Sequence, residues 1–524
     1  MAHVRRDVLG LGPGWNETLL FYAKAVRRLK SRPLTDRTSW SFMAAMHGIH
    51  PVVWQTFGIT TATTPFPPLP EQRRFWNQCQ HQSWYFLPWH RGYLAAFEQI
   101  VRAAVVDEGG SSDWALPYWN YSDPNRANAR TLPEAFALPT LPDGSDNPLR
   151  VDRRFGSNTT PIVIDPTLVS LSALEDDGFA GGVDDIPEGF GGPETVFHHG
   201  PESETTNGGL ESLPHNMIHG AIGGVTLGGN PNRWQDLGLM SMPITAALDP
   251  IFWLHHANID RLWNVWLRDT LEQHDNPVDP TWLDGPADRE FVMPKGNPTG
   301  NANVNNAEWI FTARDVLDTT APTLDYIYED EIPPPIARRA TRRLERLGAG
   351  ARETVVVSSG RTPELIGASD GPVRVTGATG TAVRLDATAT RSLRANLARA
   401  AAPDARMQEE PARVFLKLEG IRGTSDAAIY HVYIDLPPNA DPAQYADRRA
   451  GTVSLFGVSA ASDPDGPTAG SGINQVLEIT EIVDALHLSG DDLQRLDVQF
   501  IPVTAAVAGA DFSIARLSVF KLGE

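Results

Sequence analysis

Apolar positions along this chain repeat with two different periods. Up to about residue 330 they recur three and four apart, the spacing of one helix face. Trp15-Asn-Glu-Thr-Leu-Leu-Phe-Tyr-Ala-Lys-Ala-Val-Arg-Arg-Leu-Lys reads as an amphipathic helix ending before Pro33. Asp36 to Met46 predicts a second, carrying Trp40, Phe42, Met43 and Met46. Pro88 is tolerated in a first helical turn and predicts a helix starting near His90 and running through Tyr93, Leu94, Phe97 and Val101. A fourth spans Phe252 to Leu267. Residues 124–205, rich in Pro, Gly, Asn and Asp, predict long loops with short turns. From about Glu353 the period falls to two. Val373-Arg-Val-Thr, Ala382-Val-Arg-Leu, Arg413 to Glu419, Ile429 to Asp435, Val453-Ser-Leu-Phe, Leu496 to Ile501 and Phe512 to Phe520 alternate between turn residues. With Thr354-Val-Val-Val they predict an all-β antiparallel sandwich or barrel. The expected plan is a mainly α domain over residues 1–330, a linker at 331–352 and a β domain at 353–524. The linker opens on Glu331-Ile-Pro-Pro-Pro and turns Arg- and Ala-rich, so it reads as partly helical and open to proteolysis.

A length of 524 residues agrees with two domains. The net charge of −20 argues against nucleic acid and anionic membranes as partners, and solubility alone explains it. No apolar run reaches membrane-spanning length. Arg5-Arg6 is not followed by an apolar segment, so no export signal is read and a cytoplasmic protein is expected, or one exported only with a helper. The single cysteine, Cys79, excludes an intramolecular disulfide and fits a reducing compartment.

The histidines carry the candidate chemistry. In His81-Gln-Ser-Trp-Tyr-Phe-Leu-Pro-Trp-His90-Arg-Gly-Tyr-Leu-Ala-Ala-Phe-Glu98, two imidazoles sit among Trp84, Phe86 and Trp89. They could hold a metal in a dry pocket, and a packed aromatic core with two hydrogen-bonded histidines explains that stretch equally well. His215 and His219 are four apart and share a helix face. A zinc-protease pattern fails, because Asn216 stands where a glutamate is needed. Asp249-Pro-Ile-Phe-Trp-Leu-His255-His256-Ala-Asn-Ile-Asp260 supplies a further pair, of which His255 should point away from His256. Glu98 and Asp260 lie behind histidines, where carboxylates fix ring tautomers, or else pair with Arg91 or Arg261 in the core. His198-His199 reads as surface.

These stretches resemble the signatures of tyrosinases and polyphenol oxidases of the type-3 copper family. His81 to Glu98 resembles the first copper signature, and Asp249 to Asp260 the second. The resemblance covers roughly residues 1–330, and more loosely a C-terminal domain of the plant polyphenol oxidase type. It implies a helical catalytic domain holding two copper ions, with dioxygen as co-substrate. The implied ligands are His47, His81 and His90 for one ion, and His215, His219 and His256 for the other. His47 is preferred over His50. Cys79-Gln80-His81 resembles members in which the cysteine sulfur is joined to the histidine ring, although a small buried thiol is the ordinary role. Glu211 and Asn216 resemble a pair that holds a water to help deprotonate monophenols. A carboxylate and an amide can orient such a water as a general base, and a helix-start charge with a capping amide is the plain alternative. Pro243 falls where some members place a bulky residue over a copper, so a fairly open entrance is implied. Ala115-Leu-Pro-Tyr-Trp-Asn-Tyr-Ser-Asp123 resembles a structural landmark. Tyr326-Ile-Tyr328 resembles the end of the catalytic domain, with Arg5 or Arg6 as its partner.

The implied activity is that of a tyrosinase, hydroxylating monophenols and oxidising o-diphenols to o-quinones, latent until a lid formed by residues 353–524 is displaced. A catechol or o-aminophenol oxidase and a haemocyanin-like dioxygen carrier are the alternatives. Small phenols are the implied partners, with a copper chaperone as a further candidate and the oligomeric state left open.

Overall fold

The computed structural model describes residues 2–198, 206–269, 274–295, 307–332, 342–343, 346–347, 362–401, 411–466, 468–490 and 493–523. Five helices of the first part, beside several shorter ones, matter most for the site. Helix α1 (Glu17–Lys30) starts where the Asn16 side chain accepts from the Leu19 N–H, and it stops before Pro33. Helix α2 (Trp40–His47) begins later than the hydrophobic pattern suggests, because the Ser39 side chain caps the Phe42 N–H. Helix α3 (Phe86–Asp107) holds Pro88 in its first turn, as expected. Helices α4 (Asn216–Gly223) and α5 (Ile251–Leu267) carry the remaining histidine motifs. Helix α3 packs on both α1 and α5. Trp253 of α5 stacks on Phe97 of α3 with its ring tilted by only 7°. The loops from 124 to 198 contain, among the described residues, only short 3-10 turns and isolated bridges.

The two ends of this helical part meet. Strand β1 (His3–Arg5) pairs in parallel with β4 (Tyr326–Tyr328), while β2 (Phe291–Pro294) and β3 (Glu308–Phe311) form a separate antiparallel pair. Arg5, not Arg6, is the tie. Its buried guanidinium donates to Glu98 Oε2 at 2.8 Å, Asp260 Oδ2 at 3.2 Å and the Tyr328 hydroxyl at 2.8 Å. Arg91 donates to the other Asp260 oxygen at 2.5 Å, and Tyr326 donates to Asp260 Oδ2 at 2.6 Å. Burial alone would raise the Asp260 carboxyl, but Arg91 and Arg5 outweigh it and hold the group below its ordinary value.

The second part is one nine-stranded antiparallel sheet. Its strands are β5 (Glu364–Ser369), β6 (Val373–Thr376), β7 (Thr379–Leu385), β8 (Arg413–Gly423), β9 (Ile429–Ile434), β10 (Arg449–Ser454), β11 (Ile473–Glu478), β12 (Arg495–Pro502) and β13 (Asp511–Leu522). The order is β10-β9-β12-β7-β5-β13-β8-β11, with β6 also on β13. The two edges meet: a Cβ on Gly451 of β10 would lie 2.8 Å from Leu477 of β11. The sheet is therefore a nearly closed barrel, the shape that removes exposed edges. Two expectations need correction. The stretch Val453-Ser-Leu-Phe is not all strand, because β10 ends at Ser454 and Gly457 turns the chain at a φ of 81°. The linker is anchored where it is described. Arg343 is buried on Asp484 and on the Pro411 and Ala412 carbonyls, and Leu347 joins the barrel core. The strand expected at Thr354 lies outside the described residues.

Polar contacts cross the seam between the parts. Lys417 Nζ donates to the Asp184 carbonyl at 2.6 Å. Asn232 donates to the Gly509 carbonyl at 2.8 Å and accepts from Asp511 N at 2.9 Å. Among the described residues no helix is long and apolar enough to cross a membrane.

Two stability predictions follow from buried carboxylates. Asp260→Asn leaves Arg91 without its charged partner and should lower unfolding stability by about 3–5 kcal/mol. A denaturant midpoint unchanged from wild type would remove this network from its structural role. Asp426 is fully buried and accepts from the Ser459 N–H at 2.8 Å and from its hydroxyl. Burial raises its pKa from 3.8 to about 7, against those two bonds. The folded state therefore binds the proton more tightly than the unfolded chain, so stability falls as pH rises from about 4 to about 7. Barrel melting should be higher at pH 5 than at pH 8, and Asp426→Asn should flatten that slope.

Candidate metal centre

Five of the six histidines are each positioned by a particular local device, and His256 is carried in the second turn of α5. His47 ends α2, and its Nδ1 lies 2.8 Å from the Pro243 carbonyl. Gly48 permits this approach, because a Cβ there would lie 2.9 Å from the Ile244 Cα. His50 is exposed and leads into the next helix, so it faces away. His81 lies in the irregular stretch before α3, where Gln82 has a φ of 56° and donates its N–H to both Glu211 oxygens at 3.1 and 2.9 Å. His90 sits in the first turns of α3, with Nδ1 2.8 Å from the Phe86 carbonyl. His215 occupies a kinked turn over Glu211–His215 and precedes α4, so the pair with His219 is not within one regular helix. Their rings nevertheless converge. His215 Nδ1 bonds Asn216 Oδ1 at 2.8 Å, and His219 Nδ1 bonds the Met240 carbonyl at 2.9 Å.

These bonds settle the tautomers of His47, His90, His215 and His219. A ring that donates from Nδ1 to a carbonyl oxygen carries a lone pair on Nε2. His215 and His219 Nε2 are 3.1 Å apart, and His256 Nε2 lies 3.3 and 3.4 Å from them. Three nitrogens bound at about 2.0 Å to one ion would stand roughly 3.3–3.5 Å apart. His47 Nε2 is buried without a hydrogen-bond partner. It belongs to a second group with Cys79, His81 and His90. The Cys79 thiol lies 3.3 Å from His90 Nε2 and 3.6 and 3.7 Å from the two His81 nitrogens. The two groups abut: the His90 and His256 rings stack with centroids 4.5 Å apart at 16°.

Burial keeps these rings neutral. It lowers His47 to about 4 and His215 to about 3, and it holds His90, His219, His255 and His256 well below their ordinary value. Neighbouring imidazoles add to the effect at all of these but His47. Neutral, oriented imidazoles with inward lone pairs are metal ligands in waiting, and the all-nitrogen set suits copper. The residues fit two such ions.

Other expected residues take different places. His255 does not leave the site. It packs on His215 with centroids 5.3 Å apart, and its Nδ1 lies 3.1 Å from the Tyr121 hydroxyl. Glu98 and Asp260 hold no histidine in place: the Nδ1 atoms of His47, His90 and His219 face carbonyls and that of His215 faces Asn216. Glu98 binds Arg5, Arg102 and the Leu116 N–H, so the core ion-pair alternative holds, with Arg91 rather than Arg261 on Asp260. Glu211 is buried, and burial pushes its carboxyl up to about 8 despite the N–H groups of Gln82 and Gly208. His198 is not on the surface: it is buried and takes Gln80 Nε2 at 2.9 Å, which braces the loop carrying His81. His199 lies outside the described residues.

One residue escaped the sequence reading. Phe456, from the turn after β10, reaches across the seam and stacks on the His219 ring at 4.1 Å and 18°. It also approaches His81 at 5.8 Å and His215 at 6.0 Å. The entrance is therefore covered, not open. Gly457 rests on Pro243, and the Ser454 hydroxyl donates to the Asn216 carbonyl at 3.1 Å. An aromatic residue before a glycine at a strand end was the available signal.

Comparison with known proteins places this centre in a family. Residues 37–180 and 183–269 match the family described as the common central domain of tyrosinase. Tyrosinase HcTyr1 of Hahella sp. (strain CCB-MM4) is 31% identical over 525 residues, covering 96% of this chain and 97% of that protein. The chain belongs to the tyrosinase and polyphenol oxidase family. A chloroplastic polyphenol oxidase of Malus domestica is 26% identical across 93% of this chain and 73% of its own length. Residues 362–522 match a family described as a domain of unknown function. The fold is similar to that of latent apple tyrosinase, with a TM-score of 0.57 at 18% identity over 100% of this chain and 98% of that one. It is also similar to latent aurone synthase, with a TM-score of 0.58 at 17% identity over 99% and 89%. The two histidine-rich sites are consistent with the binuclear copper of this family.

Proposed function

We propose that this phenol oxidase is a tyrosinase, hydroxylating monophenols ortho to the hydroxyl and oxidising o-diphenols to o-quinones. Residues 1–330 are its catalytic domain, 331–352 its linker and 353–524 its lid. The reading rests on one observation above all: two abutting histidine triads lie under an aromatic side chain that stacks on one of them. His47, His81 and His90 hold one copper, and His215, His219 and His256 hold the other. Bound copper supplies the redox chemistry that turns dioxygen on a phenol.

The chain's own residues set up the rest. Phe252, 4.1 Å from His256 and 4.9 Å from His47, walls an apolar floor suited to an aromatic ring. Phe456 occupies the position of such a ring over His219, so the closed form excludes substrate. Glu211 offers carboxylate oxygens, while Asn216, whose amide oxygen is taken by His215, keeps its NH2 as a donor. A water held between acceptor and donor would take the monophenol proton. Copper charge nearby would draw Glu211 back toward its ionised form.

Three outcomes check this. Phe456→Ala should raise kcat/KM for catechol about tenfold or more by freeing a site that is rarely open. Oxygen uptake should occur with both a tyrosine-like monophenol and catechol. Glu211→Gln should depress monophenol turnover far more than catechol turnover. Uptake with catechol alone would make the enzyme a catechol oxidase, and no uptake with either would point to a dioxygen carrier.

Cys79 carries a further expectation, a thioether to the His81 ring. Forming it removes the thiol hydrogen and one ring hydrogen as protons, with two electrons passing to dioxygen. In the copper-free chain the buried thiol, its pKa raised by burial, should resist alkylation until the chain unfolds. After copper loading in air, the unfolded chain should no longer react and should be lighter by two hydrogens. Undiminished alkylation would leave Cys79 a plain buried thiol.

A further inference from the structure

We propose that the seam between the two parts holds a second small-molecule site, for a monocarboxylate with a hydrocarbon body. Its occupant would fasten the closed form, a consequence that rests on the latency reading above. A cavity of about 380 Å³ opens there. Its helical-part wall includes Phe155, Ile164 and Leu168, together with Gly220 and Ala221 of α4. Its barrel wall includes Ile429, Val503 and Val507. None of the six ligand histidines lines it. The cavity lies behind the helix that carries His219, where the parts pack tightly: a Cβ on Gly220 would lie 2.8 Å from Ile429.

The lining dictates the ligand. The surface is mostly aliphatic, and it takes a hydrocarbon body of modest size. Arg130 lines it too. Its Nε is buried without a hydrogen-bond partner, and among the described residues no acidic side chain pairs with its guanidinium. A planar guanidinium with open donors beside an apolar hollow selects a carboxylate, which it can grip with two bonds. Asp165 shares the same wall. Its Oδ1 accepts from the Thr167 N–H at 2.9 Å and hydroxyl at 2.6 Å, and its charge disfavours a second negative group on the ligand. A neutral phenol would fill the hollow but leave Arg130 unanswered, so the site discriminates against the enzyme's own substrates.

The regulatory consequence is a matter of linkage. A ligand touching both walls binds only while the parts are together, and it stabilises that arrangement by its binding free energy. The closed arrangement is the one with Phe456 on His219.

The experiment is calorimetric titration of the full copper-loaded chain with decanoate below its micelle concentration, beside decanol as the uncharged probe. One decanoate per chain should bind, with decanol about tenfold weaker or more. Arg130→Met should bring decanoate down to the level of decanol, and Val503→Phe, which fills the hollow, should abolish binding of both. Equal decanoate affinity in wild type and Arg130→Met, or binding indifferent to Val503→Phe, would overturn the site. Catechol turnover then tests the linkage. Decanoate should slow the wild type and leave Phe456→Ala unaffected. Equal slowing of both would put the ligand in the active site and overturn the proposal. If Phe456→Ala fails to raise turnover, latency falls, while the calorimetry still judges the cavity by itself.

Discussion

Everything at the metal centre depends on the register of α3 against α5. His90 and His256 stack across that interface, so a slip of one residue on either helix would separate the triads. The register is pinned one residue beyond His90 and one turn beyond His256, where Arg91 meets Asp260 inside the core. A buried pair of this kind is a weak source of net stability, because the desolvation of both charges offsets most of their attraction. Its value is geometric. Breaking it strands a charge, so alternative registers are excluded far more strongly than the native one is favoured. Arg5 extends the same lock to the N-terminus and to Glu98, and Tyr326 and Tyr328 close it from the far end of the helical part. Residues 323 positions apart in sequence are thereby fixed around a single carboxylate pair.

Much of this was legible from spacing. The helices at Glu17–Lys30 and Ile251–Leu267 follow from apolar periodicity, and their ends follow from Asn16 and the proline beyond α1. Most of the described alternating stretches of the last third are strands, and their pairing nearly closes a barrel. The preference for His47 over His50 came from the family resemblance, and in the structure only the first is buried with its ring turned inward. What spacing could not supply was the direction of side chains that answer to distant backbone. Glu98 and Asp260 were open to two readings because both a histidine and an arginine lie near them in sequence. The arginines win because a buried guanidinium cannot shed its proton, whereas neutral imidazoles find carbonyls close at hand. His198 looked like a loop residue, and its burial depends on Gln80, more than a hundred positions earlier.

Phe456 is the most instructive miss. Alternation assigned it to a strand, and only the positive φ of Gly457 ends that strand early and swings the ring across the seam. Local patterning reports which elements form within a domain. It carries no information about which residue one domain presents to another.

That separation also bears on the proposed lid, whose opening would leave the centre beneath it intact. The hydrogen-bond partners that orient the ligand rings are the carbonyls of Pro243, Phe86 and Met240 and the amide of Asn216. All belong to the helical part. The barrel contributes a stacked ring and a hydroxyl to the Asn216 backbone carbonyl, and neither fixes a tautomer. Withdrawing Phe456 therefore hydrates the mouth of the site, while the inward lone pairs keep their direction. The lid and the ligand cage are built from independent contacts, so displacement of one leaves the geometry of the other in place.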